Sequence, residues 1–361
     1  MPGAVWRRSP LADGYAAIVT TPAADDDTVT FRHDDPDRWL AGVRLRQEVG
    51  IPGDALDFRY DDDARAWRLR LSRPPVSRME YLFELRHHDG GTETVTDAGN
   101  PRRAPGAFGD KSVAEFPDYR PPGWLTAELA DGDWRDLSIR SRHLDTEVAA
   151  RLWTPRGAPA DRLLVANDGP EYDRLAGLGR YAAAMVGTGR LPPFRLALLA
   201  PGDRNRWYAA DPSYASALVR QVLPALGAAG PVIAMGASLG GLAMLHAQRR
   251  YPASFAGLFL QSGSFFVPQY DQQESGFSGY RRIVRFVRRT ADAEATPHPV
   301  PTVLTCGTGE ENLHNNRLMA AVLADQGYPV ALREVPDAHN YVGWRDAFDP
   351  HLTDLLTGVW A

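Results

Sequence analysis

The sequence predicts an α/β protein with a mostly parallel sheet, preceded by a small β-sandwich. Three observations predict it. Past residue 123, short apolar runs alternate with helix-forming stretches, the pattern of a parallel sheet whose crossovers are helices. Before Asp97 the runs are short, alternate apolar with polar residues, and are separated by turn-rich breaks. Between the two, residues 100–123 are dense in Pro and Gly, which is linker composition. The expected units are therefore 1–122, ending in that linker, and 123–361.

In the first unit, residues 28–32 and 39–45 read as strands. Residues 67–71, Trp-Arg-Leu-Arg-Leu, alternate as a strand with one buried face does. Residues 81–86 follow, and Asp89-Gly90-Gly91 turns the chain. The acidic triplets Asp25-Asp26-Asp27 and Asp61-Asp62-Asp63 fall between strands, where charged side chains stay in water. Short strands at this spacing predict an immunoglobulin-like sandwich.

In the second unit, 137–139 and 148–153 open the sheet, and 161–166 run into Asn167-Asp168-Gly169. Core strands are expected at 195–200, 231–235, 301–306 and 329–335, with helices over 241–247 and 313–326. The single cysteine, Cys306, lies inside an apolar run, which predicts a buried thiol and excludes an intrachain disulfide.

The most specific signal is Gly236-Ala237-Ser238-Leu239-Gly240, entered by Pro-Val-Ile-Ala-Met and left by helix formers. It has the form of a nucleophile elbow, a strand-to-helix turn that lifts a serine hydroxyl above the sheet. A serine hydroxyl needs a base, and the base an orienting acid, which in this fold follow in the order acid, then histidine. Glu310 and Glu311 lie in the loop after 301–306, and His339 in the loop after 329–335. Glu310 is the first choice of acid, Glu311 the second and Asp337 a distant third; among the histidines His339 is preferred, with His314 the weak rival. The oxyanion of an acyl-transfer intermediate needs two backbone N–H donors. Leu239, after the nucleophile, and Gly169, at the end of 161–166, are the candidates. Together they predict an α/β-hydrolase fold with a serine nucleophile. No HExxH, Cys/His cluster or EF-hand pattern is present, so neither a metal nor any other cofactor is expected.

A net charge of -5 argues against a nucleic-acid partner. The basic residues are arginines apart from Lys111, a bias without functional weight. The first residues, Met1 to Arg8, lack the apolar stretch of a secretory signal, and no run reaches the length of a membrane span, so a cytoplasmic protein without a membrane partner is expected. Oligomeric state is left open. The basic stretch 279–289 is placed where a lid could lie, with a solvated amphipathic helix packing Ile283, Val284, Phe286 and Val287 as the preferred alternative.

Several pieces in order resemble the enterochelin esterase family, siderophore esterases within the esterase D-like α/β-hydrolases. They are Tyr81-Leu82-Phe83 with Asp97-Ala98-Gly99-Asn100-Pro101, Asp168-Gly169, Asp203-Arg204-Asn205-Arg206-Trp207-Tyr208, the elbow, Gly307 with Glu310, and His339 with Trp344. The resemblance implies a Ser238–His339 pair with Glu310 as acid. It also implies a ferric tris-catecholate trilactone as the small-molecule ester, hydrolysed to release iron. Such an anion calls for cations and aromatic surfaces, here Arg204, Arg206, Trp207, Tyr341 and Trp344. The turn Pro170-Glu171-Tyr172 departs from the family pattern, where an aromatic comes sooner. Competing readings are an esterase of another class, acting on feruloyl, acetyl or biosynthetic lactone esters, an acyltransferase, and a non-catalytic carbohydrate-binding protein.

Overall fold

The structure, a computed structural model, describes residues 22–157, 159–295 and 298–361. The expectations for Met1 to Arg8 lie outside them. Among the described residues, nine strands precede residue 116: β1 (Ala23–Ala24), β2 (Thr28–Asp34), β3 (Leu40–Gln47), β4 (Arg59–Asp61), β5 (Ala66–Ser72), β6 (Arg78–His87), β7 (Thr92–Val95), β8 (Arg103–Ala104) and β9 (Lys111–Glu115). They form two antiparallel sheets, ordered β1-β2-β5-β4 and β3-β6-β9-β8, with β7 also on β6. Alternation explains the packing. β5 turns Trp67, Leu69 and Leu71 inward and Arg68 and Arg70 outward. Val29 and Phe31 of β2 share a core with Val43, Leu45, Tyr81 and Phe83 of the facing sheet.

The Pro- and Gly-rich stretch is more structured than its composition predicts. β8 and β9 lie inside it, and Val113 and Ala114 are buried. Asn100 is buried as well; its Nδ2 donates to Tyr81 Oη at 3.0 Å and to the Val113 carbonyl at 2.8 Å. Within the stretch, residues 105–110 loop between β8 and β9, and no strand forms from Phe116 until β10 begins at Gly132.

Eight further strands make one mixed sheet: β10 (Gly132–Ser141), β11 (Thr146–Pro155), β12 (Leu163–Ala166), β13 (Arg195–Leu199), β14 (Val232–Ala237), β15 (Gly257–Gln261), β16 (Thr302–Gly307) and β17 (Val330–Val335). Their order is β10-β11-β13-β12-β14-β15-β16-β17. The pairs at the β10 and β11 edge are antiparallel; from β13 to β17 all are parallel. The inner parallel strands β12, β14 and β15 are buried on both faces, which is why they read as apolar runs, while β17 at the edge is partly exposed and carries Arg333 and Glu334. In β12, Leu163 and Val165 enter one core while Leu164 and Ala166 enter the other. Helices Leu239–Arg250, Tyr280–Ala291 and Leu313–Asp325 cover the first face. Helices Gly169–Ala176, Leu178–Gly187 and Thr353–Trp360 cover the second.

Because β12, β14, β15, β16 and β17 run in one direction, their C-terminal ends share one edge. Asp168, Ser238, Ser262, Glu310 and His339 all follow those ends, where open α/β sheets build their sites. Cys306 is buried. Among the described residues no helix is long and apolar enough to cross a membrane.

Candidate active site

Ser238 follows β14 with φ 54° and ψ −125°, a conformation that costs a non-glycine residue energy. The turn is tight because backbone packs directly on backbone. A Cβ on Gly236 would lie 2.5 Å from the carbonyl carbon of Gly240. Neighbouring groups hold the strained residue. Ser238 N–H donates to the Gln261 carbonyl at 2.9 Å, Ser264 N–H donates to the Ser238 carbonyl at 3.1 Å, and Asn167 Nδ2 donates to the Gly240 carbonyl at 3.0 Å. Ser238 Oγ lies 3.1 Å from Ser264 Oγ. Among the described residues that hydroxyl, and not His339, is its hydrogen-bond partner.

Glu310 is buried in the loop after β16. Its Oε2 accepts from His339 Nδ1 at 2.6 Å, and its Oε1 accepts from Ser262 Oγ at 2.6 Å and from Gly307 N–H. Burial pushes the Glu310 carboxyl up, but the His339 hydrogen bond and charge, then the Ser262 and Gly307 bonds, outweigh it and hold it below the usual range. A carboxylate can only accept, so Nδ1 carries the ring proton and Nε2 is left with its lone pair. The Trp344 ring packs edge-on against the imidazole, centroids 5.0 Å apart, and Trp344 Nε1 donates to Ser262 Oγ at 3.0 Å. Glu311 is exposed, with Gln273 Nε2 donating to it at 3.2 Å, and Asp337 turns away to Arg78. His314 packs edge-on against Tyr270, centroids 4.1 Å apart.

Leu239 and Gly169 are the first residues of their helices, so neither N–H has a carbonyl partner within the helix. Only glycine fits at 169, since a Cβ there would lie 2.4 Å from Leu198 Cα.

A cleft of about 990 Å³ opens over Ser238 and His339 and extends to the loop 105–111 of the N-terminal sheets. Arg204, Tyr341 and Trp344 line it. Arg204 is bidentate to Asp168, at 2.8 and 2.9 Å. Arg206 and Trp207 line no part of it. Successive residues of the short helix Arg204–Trp207 point about 100° apart, so those two face elsewhere. Trp207 is buried and stacks on Tyr214, while Arg206 is exposed. Helix Tyr280–Ala291 packs Ile283 and Val287 into the core, and none of its residues lines the cleft.

Sequence reasoning missed how the N-terminal sheets hold this site. Arg78, at the start of β6, is buried and pairs with Glu80 at 2.8 Å and with Asp337 at 2.9 Å, and donates to Asn340 Oδ1 at 3.2 Å. Ser77 N–H donates to the Pro336 carbonyl at 2.8 Å, and Thr308 Oγ1 donates to the Pro75 carbonyl. Both loops that carry the acid and the base are thus backed by the N-terminal sheets. Polar residues flanking the run at 81–86 were the only signal in the sequence.

Fold and geometry together describe a mixed-sheet α/β protein with a serine, an imidazole and a buried carboxylate at one sheet edge. The comparisons with known proteins agree with the family resemblance. No protein-family model matches the chain. It is 27% identical over 252 residues to the iron(III) enterobactin esterase of Dickeya dadantii, an alignment covering 64% of this chain and 56% of that protein. The chain thus spans little more than half the length of that relative. Among solved structures, the ferric enterobactin esterase of Salmonella typhimurium superposes with a TM-score of 0.74 at 20% identity, over 92% of this chain and 93% of the other. The enterobactin esterase of Shigella flexneri, crystallised in the presence of enterobactin, gives 0.72 at 19%, over 93% and 94%. The chain resembles the enterochelin esterase family through both halves.

Proposed function

We propose that this chain is a serine ester hydrolase of the α/β-hydrolase fold. In this reading an immunoglobulin-like sandwich spans 1–122, and the catalytic unit spans 123–361. The observation that carries it is the 2.6 Å bond from His339 Nδ1 to the buried Glu310, in the cleft that holds Ser238 Oγ. Glu310 fixes the ring and stabilises its charged form, which makes Nε2 the base.

The Ser238 hydroxyl turns from Ser264 to His339 Nε2, gives up its proton and forms a bond to the ester carbonyl carbon. The carbonyl oxygen becomes an oxyanion, held by the N–H groups of Leu239 and Gly169. As the intermediate collapses, the ester C–O bond breaks and His339 returns the proton to the leaving alkoxide. Water repeats the sequence on the acyl-enzyme, releasing the acid and restoring Ser238. Nucleophile, base and oxyanion donors all come from the chain, so the reading assigns no cofactor. The names of the relatives suggest the substrate, the ester bonds of a ferric siderophore trilactone opened in the cytoplasm. Arg204, Tyr341 and Trp344 form its wall.

Intact mass after exposure to a fluorophosphonate tests the reading. One adduct is expected on the wild type and none on Ser238→Ala or His339→Ala. An adduct that persists on folded Ser238→Ala would show that another residue is the nucleophile.

A further inference from the structure

The cleft is acidic. Eight carboxylate side chains line it against two permanent cations, Arg204 and Lys111. Neither cation is free: Arg204 is closed on Asp168, and Lys111 lies 2.7 Å from Glu48 and 3.7 Å from Glu80. Among the described residues Asp110, Glu171, Glu274 and Glu311 line the cleft without an ion-pair partner. A second, independent feature points to a missing donor. Glu171 Oε2 is buried and accepts no hydrogen bond, a state that is costly unless something else supplies the proton. On the other flank of the site, burial and then the charges of Glu311 and Asp271 push the Glu274 carboxyl up.

We infer that the ester accepted here carries ammonium or guanidinium groups near the scissile bond, and that its overall charge is neutral or positive. The inference rests on the esterase reading and narrows its substrate. A simple ferric tris-catecholate is anionic and would meet an excess of like charge in this cleft. Arms ending in an amine or guanidine cancel that charge and bring three or five N–H donors to carboxylates that lack a cationic partner among the described residues. Glu171 faces such an arm on one side of Ser238, and Glu274 with Glu311 on the other.

The test uses the full chain and three 4-nitrophenyl esters of equal length, whose acyl ends are methyl, ammonium or carboxylate. The ammonium ester should exceed the methyl ester in kcat/KM by about tenfold, a difference of about 1.4 kcal/mol, with the carboxylate ester below both. High salt should compress the series. Glu171→Gln and Glu274→Gln should each lower the ammonium-to-methyl ratio several-fold. Equal rates, faster turnover of the carboxylate ester, or preference for ferric enterobactin would overturn the inference. Turnover of none of the three counts against the esterase reading instead. Calorimetric titration of Ser238→Ala with the matching amides then decides the charge preference. Tighter binding of the ammonium amide keeps it; equal or tighter binding of the carboxylate amide removes it.

Discussion

Glu310 shows how one buried side chain positions another. Its two oxygens are fully engaged, one by the imidazole and one by Ser262 and Gly307. Glu310→Gln keeps the shape but removes the negative charge that accepts from His339 Nδ1. It should lower kcat by about a hundredfold or more, with little change in KM. Steady-state kinetics on a neutral aryl ester, with circular dichroism to check folding, would measure this; a rate within a few-fold of wild type would mean that Glu310 does not orient the base. His246 gives a pH dependence. Burial, reinforced by Arg250, lowers its pKa to about 4, while the unfolded chain takes up that proton near 6.5. Between those values the unfolded state holds more protons. His246 therefore costs nothing above about pH 6.5 and removes up to about 1.4 kcal/mol per pH unit as pH falls toward 4. Urea midpoints near pH 7 and near pH 5 should differ less for His246→Phe than for wild type. Ser238, Glu310 and His339 were readable in the sequence because each lies in the loop or turn after a candidate strand, in the chain order expected of this fold. Trp207 was misplaced because adjacent positions on one helical turn face different ways.

At the level of elements, β12, β14, β15 and β16 were legible because burial on both faces makes them mostly apolar, whereas β17, at the sheet edge, carries exposed Arg333 and Glu334 and was read from Val330, Leu332 and Val335 alone. β9 was not. Its five residues sit between Pro- and Gly-rich turns, and only their pairing with β6 and β8 makes them a strand. The role of β6 itself was equally hidden. Arg78 and Asp337 are 259 positions apart, and neither has a local pattern that announces the other. Burial works against the charged guanidinium, yet Asp337 and Glu80 outweigh it and keep it ionised. Arg78→Met would leave Asp337 buried without its cation and Glu80 with only Lys111 at 3.7 Å, which should cost about 3–5 kcal/mol. It should also release the loop of His339, so kcat should fall with it. Chemical denaturation and rates on a small ester would read both. Loss of stability with kcat unchanged would show that the clamp serves the fold alone.

Across the whole molecule, the sheets before residue 116 and the eight-stranded sheet share buried charge as well as surface. Ala338 belongs to the N-terminal core, and Tyr119 Oη donates to Asp346 Oδ2 at 3.0 Å. The two parts should therefore unfold together. Denaturation followed by far-ultraviolet circular dichroism and by Ser238 labelling should give one midpoint; two separated midpoints would mean that each part stands alone.

The Arg78–Asp337 pair also bears on recombination among relatives. A hybrid that joined the N-terminal sheets of one protein to the sheet and helices of another would bring together half of a buried ion pair with a stranger. Such a hybrid should assemble only when both members cross over together, so the two parts are inherited as a matched set rather than as interchangeable modules.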